Sequence, residues 1–168
     1  QKEIGESTLG GRDIWIDENI GRLNTDKQGR FLGSFNTDDT ILVIYKDGTY
    51  ELTSFELTNR YKIDEIVIIE KFVSKLIISA IHYVGNTKSY YVKRFCIETS
   101  TIGKKFSFIN DDRGSKLNLV TIDENPIFSF GYRTKKGEKK YKELDLKDFV
   151  DVKGWKAMGN KIGNYSRM

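Results

Sequence analysis

The sequence predicts an all-β domain assembled from antiparallel hairpins. Three observations carry that reading. Strand–turn–strand patterns recur four times along the 168 residues. The chain has ten Phe, nine Tyr and two Trp, β-branched residues are common, and Pro126 is the single proline. No long window holds the 3.6-residue apolar period of an amphipathic helix. One domain spanning 1–168 fits this length, with enough chain to bury a sizeable core.

The first hairpin is read from "RDIWIDENIGRL", where Ile14 and Ile16 precede a polar turn and Ile20 and Leu23 follow it. The second, "ILVIYKDGTYEL", turns at Asp47-Gly48, where glycine supplies the positive φ that a tight hairpin demands. "YKIDEIVIIEKF" comes nearest to a helix, but its β-branched core is short and predicts a strand over Ile66–Phe72. The third hairpin, "ISAIHYVGNTKSYYVKRFCI", turns around Gly85-Asn86, and a further strand is expected over Lys116–Ile122. The fourth, "IFSFGYRTKKGEKKYKELDL", turns around Gly137, with a short helical turn expected near Leu146–Val150. The tips fall near 18, 47, 86 and 137. Repeated antiparallel units at roughly 40–50 residues suit propeller-like blades. A β-sandwich also yields many short strands, so spacing leaves both open.

Charge is unevenly spread. Residues 1–84 carry 10 Lys and Arg against 14 Asp and Glu, net −4, whereas residues 85–168 carry 18 against 10, net +8. A basic half points to a nucleic acid or an acidic surface as partner, though solubility alone accounts for a moderate excess. The lone Cys96 rules out an internal disulfide and any multi-cysteine metal site, and it reads as a small buried hydrophobe. Apolar runs such as "IVII" are too short to cross a bilayer. The first residues, "QKEIGESTLGG", lack the apolar stretch of a signal peptide, and a start at Gln suggests a piece of a larger chain.

A search for catalytic chemistry finds little. His82 is the single histidine and lies in a strand-like run without an evident partner. No phosphate-cradling GxxxxGK[ST] occurs, and "LGGR" and "GNKIGN" lack the strand and helix that would give them meaning. Asp38-Asp39 and Asp111-Asp112 sit in turn-like contexts, where solvated carboxylates are usual. Neither a metal nor a cofactor is expected, and an independent enzyme is not.

The basic segments say more. "GYRTKKGEKKYKEL" holds Arg133, Lys135, Lys136, Lys139, Lys140 and Lys142 against Glu138 and Glu143. Such tip lysines can be merely solvated, or can guard a strand edge against aggregation. "DVKGWKAMGNKIGNYSRM" places Lys153, Lys156, Lys161 and Arg167 among glycines and Trp155. Small residues let a backbone approach phosphates that cations then neutralise, although a loose tail would look the same. A third set joins Lys93-Arg94 with Arg113 and Lys116. On a strand, Lys93 and Arg94 face opposite sides, so at most one belongs to any single patch.

Several stretches, in order, carry a family likeness: "GRDIWIDENIGRL" (11–23), "DDTILVIYKDGTYELT" (38–53), "ISAIHYVGNTKSYYVKRFCIE" (78–98), "DRGSKLNLVT" (112–121) and "KGWKAMGNKI" (153–162). The set resembles the C-terminal domain of the A subunit of bacterial type IIA topoisomerases, topoisomerase IV and gyrase, of the Bacteroidetes type. The resemblance implies a β-pinwheel, a propeller-like disc of antiparallel blades. This chain has room for about three to four blades, so an open or truncated version is expected. It implies a basic rim that binds and bends duplex DNA with little sequence preference. The expected contacts are Arg133, Lys135, Lys136, Lys139, Lys140 and Lys142, then Lys153, Lys156, Lys161 and Arg167, with Arg113 and Lys116 behind them. Gyrase wraps DNA with a glycine-rich basic box. "KGWKAMG" is the nearest approach here, with Trp155 where a small or basic residue is wanted. That departure favours topoisomerase IV-like engagement of a bent segment over chiral wrapping.

The likeness also implies that catalysis lies elsewhere. The tyrosine that attacks DNA belongs to the breakage–reunion domain upstream, and ATP to the B subunit. The expected partners are therefore duplex DNA, the remainder of the A subunit and the ATPase B subunit, in the cytoplasm and without a membrane. The competing expectation is a protein-interaction module that docks an acidic partner, its own acidic half contacting the rest of its enzyme.

Overall fold

A computed structural model describes residues 11–162. The chain divides into two compact units, one running to Val73 and including Thr99–Phe106, the other comprising Ser74–Glu98 and the chain from Ser107 onward. Nearly all regular structure is β, in mainly antiparallel sheets, none of which closes into a barrel; Val152–Lys153 joins Ser89–Cys96 in parallel. The all-β expectation holds, and the sheets are consistent with a pinwheel-like fold.

In the first unit, β1 (Arg12–Asp17), β2 (Arg22–Asn24) and β3 (Arg30–Phe35) form a sheet in the order β2-β1-β3. Beside it, β4 (Ile41–Tyr45), β5 (Thr49–Thr53), β6 (Ile66–Lys71) and β9 (Phe106–Ser107) form a sheet in the order β6-β4-β5-β9. Ile14, Ile16, Leu32, Phe35, Ile41, Val43 and Ile69 build one core. β4 explains its own sequence. Ile41 through Ile44 are all fully buried, because a central strand covered on both faces needs apolar residues at every position. Leu42 and Ile44 turn away from that core and face Leu52 and Tyr50 in register. Tyr50 in turn stacks on Phe106 at 5.4 Å. The β4–β5 turn is the one expected. Gly48 has φ +84°, and the Asp47 carboxylate accepts from the Thr49 hydroxyl at 2.6 Å.

In the second unit, β7 (Ile77–Val84), β8 (Ser89–Cys96), β10 (Lys116–Thr121) and β13 (Val152–Lys153) run in the order β10-β7-β8-β13. β14 (Asn160–Lys161) also pairs with β8. β11 (Ile127–Arg133) and β12 (Lys139–Asp145) form a separate hairpin, and the short helix α1 (Leu146–Phe149) follows. Asp145 caps α1 by accepting from the Lys147 N–H at 3.0 Å. The core unites Ile81 and Val92 of the sheet with Phe130, Leu144, Leu146, Val150 and Ile162.

All four hairpins turn where expected, and β6, β10 and α1 lie within the spans read for them. Ile20 departs from the reading. It sits in the first turn, 68% exposed, rather than in the returning strand. Cys96 is half-buried, not fully buried.

Candidate nucleic-acid interface

The basic hairpin is a well-registered ribbon. Phe128 pairs with Leu144, Phe130 with Lys142, Tyr132 with Lys140 and Arg133 with Lys139. Alternate strand residues face opposite sides. Phe128, Phe130 and Tyr132 therefore line one face, with Phe128 and Phe130 stacked at 5.4 Å and seated on the unit's core. Lys140 and Lys142 share that face and stay exposed. The opposite face carries Arg133, Lys139 and Tyr141. There Tyr141 is 72% exposed, and its ring covers Gly131 while the Lys139 ammonium lies 5.5 Å from the ring centre. Lys135 and Lys136 project from the turn. That turn is tied by the Thr134 N–H to Glu138 O and the Gly137 N–H to Thr134 O, both at 2.9 Å. The Arg133 guanidinium also donates to Gly137 O at 3.1 Å. The six cations thus form two rows that share one braced tip, not a single row.

The C-terminal basic run is not a loose tail as far as Ile162. β13 lies parallel to β8 at Arg94–Phe95, and β14 returns antiparallel at Tyr91–Val92. The Ile162 N–H donates to Tyr90 O at 2.9 Å, and the Asn160 amide donates to Phe149 O at 3.0 Å. Residues 154–159 arch between these two attachments. Gly159 makes the return possible, with φ +95° and a position at which an added Cβ would lie 2.0 Å from Val92 O. Lys156 is exposed on this arch, 5.2 Å from the Trp155 ring, and Lys153 and Lys161 are exposed at its two attachments. Arg167 lies outside the described residues.

Arg113 and Lys116 are exposed at the β7–β8 turn. The Asp112 carboxylate accepts from the Asn86 N–H at 2.7 Å, and the Ser115 hydroxyl accepts from the Gly85 N–H at 2.8 Å. This clasp sets Arg113 against the turn that carries Lys88, a cation the sequence reading passed over. The strand repeats showed the turn, but the clasp needs a partner loop 26 to 30 residues away, which no local pattern announces.

Lys93 and Arg94 belong to no surface patch at all. Both are buried, on opposite faces of β8. Arg94 Nε donates to the Ser79 hydroxyl at 3.0 Å. The Lys93 ammonium donates to Phe108 O and, at 2.5 Å, to Trp155 O. It also lies 5.2 and 5.9 Å from the Phe95 and Phe108 rings. Burial pushes its pKa down to about 8.

His82 is fully buried, and its Nε2 lies 2.8 Å from Met158 O. A carbonyl accepts, so Nε2 carries the proton and Nδ1 is a bare lone pair, in keeping with its having no hydrogen-bond partner. Burial lowers its pKa, against the opposing effect of the Met158 bond. The unfolded chain then takes up the proton first. Stability is held above the ordinary value of 6.5 and lost as pH falls below it, by at most about 1.4 kcal/mol per pH unit. Urea unfolding at neutral and mildly acidic pH checks this, with His82→Gln expected to lack that part of the loss.

The two units differ in charge. The first carries 11 Lys and Arg against 14 Asp and Glu, net −3, and the second 17 against 10, net +7. Among the described residues no three His, Cys, Asp or Glu side chains are grouped to hold a metal, and no helix is long and apolar enough to cross a membrane.

A nearly all-β chain built from hairpins, with one strongly basic unit, defines a broad class of β-scaffold domains. The chain matches the family described as topoisomerase C-terminal domain, Bacteroidota, across residues 22–166, and it belongs to that family. No curated protein matches it.

Proposed function

We propose that this domain binds and bends duplex DNA without sequence preference, as the non-catalytic C-terminal part of a type IIA topoisomerase A subunit. The observation that carries this is the second unit's excess of basic residues, 17 Lys and Arg against 10 Asp and Glu, with exposed lysines and arginines on a hairpin, an arch and a clasped turn that are each hydrogen-bonded in place. Each phosphate neutralised by such a lysine releases counterions. Bending a 20–30 bp segment by 40–90° costs about 1–6 kcal/mol, which a few such contacts offset. Lysines and arginines that meet phosphates carry no sequence information, so affinity in this reading depends on the DNA backbone.

The parent enzyme's remaining A subunit and ATPase B subunit are the proposed protein partners, in the cytoplasm. Trp155, and an arch pinned at both ends, favour topoisomerase IV-like engagement over gyrase-like wrapping. Two unrelated duplexes of about 30 bp, end-labelled for energy transfer, test the reading. Equal affinity and a shortened end-to-end distance are expected for both, and a preference for one sequence contradicts it. A second reading, docking of an acidic protein, draws on Tyr141 and Ile127, which are 72% and 56% exposed on the hairpin's outer face. A partner retained by the chain after nuclease treatment supports that reading.

A further inference from the structure

A buried lysine is costly when packing alone is required, because a methionine fills the same space without desolvating a charge. Lys93 is only 2% exposed, so its ammonium reaches no phosphate. It joins two distant pieces of backbone, the Phe108 carbonyl just after β9 and the Trp155 carbonyl within the arch. Its neighbour on the same face of the sheet is His82, since Ala80 pairs with Lys93 and His82 with Tyr91. His82 holds a second arch carbonyl, that of Met158. Two interior donors on adjacent strands thus grip the arch at both shoulders, while β13 and β14 fix its ends to β8.

We propose that Lys93 and His82 are positioning residues for nucleic-acid binding: from the interior they clamp the Trp155 and Met158 carbonyls and so fix where Lys153 and Lys156 project. This rests on the DNA-binding reading. A lysine on a slack loop pays conformational entropy for each phosphate it meets, and a pre-set arch removes that cost. The sequence hid this role, because a basic pair on a strand looks like part of the surface that it supports.

The test uses the whole 168-residue chain. Lys93→Met keeps the bulk and removes the donor. Duplex affinity at 50 mM salt is expected to fall roughly 100-fold, about tenfold for each of two phosphate contacts, with a salt slope smaller by about two. Lys153→Ala/Lys156→Ala should lose as much, and adding Lys93→Met to it should cost nothing further. His82→Gln retains a donor at the Nε2 position and should bind within about threefold of the parent, whereas His82→Leu should lose at least about tenfold. The histidine pair decides the matter if Lys93→Met fails to fold. Wild-type affinity for Lys93→Met, or a loss that adds fully to that of the arch lysines, overturns the proposal. Hydrogen exchange reads the clamp without DNA. Faster exchange confined to 152–161 in Lys93→Met is expected even if the parent chain binds no duplex, a result that would sink the DNA reading alone. Unchanged exchange there overturns the clamp.

Discussion

Reversing Lys135, Lys136, Lys139 and Lys140 to Glu lowers duplex affinity on the order of a thousandfold or more at 50 mM salt, equally for unrelated sequences. Each lost phosphate contact is worth about tenfold at that salt, and each new carboxylate adds repulsion. The salt slope falls by three to four, by about one per lysine. These four side chains are exposed and hold no ion pair in the described structure, so the fold should tolerate the change. Thermal unfolding checks this. The register divides the hairpin's cations between two rows. Arg133 and Lys139 share the outer row with Tyr141, while Lys140 and Lys142 share the aromatic-lined row. Reversing each pair alone shows which row meets DNA, since the greater loss marks that row.

Gly159→Val has the second large effect, this time on the fold. The residue combines φ +95° with an approach that would set a new Cβ 2.0 Å from Val92 O, and backbone at both ends leaves no flexible atom to yield. A β-branched side chain in left-handed backbone costs about 1–2 kcal/mol before the clash is counted. About 2–4 kcal/mol is expected in total, read as a lowered urea midpoint. β14 should detach from β8, and Ile162 should leave the core that it shares with Val92 and Phe130. Duplex affinity should then fall as it does for Lys93→Met, because the arch loses its return attachment. Gly154→Ala, with nothing within 4 Å of its added Cβ, is the mild counterpart.

What could be read in the sequence was local. Asp47-Gly48, Gly85-Asn86 and the lysine-rich turn each announce a hairpin within a few residues, and the strands beside them follow from alternation. β3 was missed because Gly33 and Ser34 interrupt its apolar pattern, and a bulge at the neighbouring Leu32 breaks the pairing with β1. β9, β13 and β14 have two residues each, too few for any period. The basic segments were visible as composition. Their division was less so. Alternation along β12 is all that separates Lys139 from Lys140, but the burial of Lys93 and Arg94 depends on Phe108, Trp155 and Ser79, which bond to them across 15 or more residues of sequence. A buried cation and an exposed one look alike until the fold brings the acceptors together.

Duplex binding through backbone charge is read from a titration of the 168-residue chain with two unrelated duplexes across a series of salt concentrations. Tight binding is expected at low salt, with a logarithm of affinity that falls linearly with the logarithm of salt at one slope for both sequences. Undetectable binding at low salt, or an affinity that does not change with salt, would contradict it.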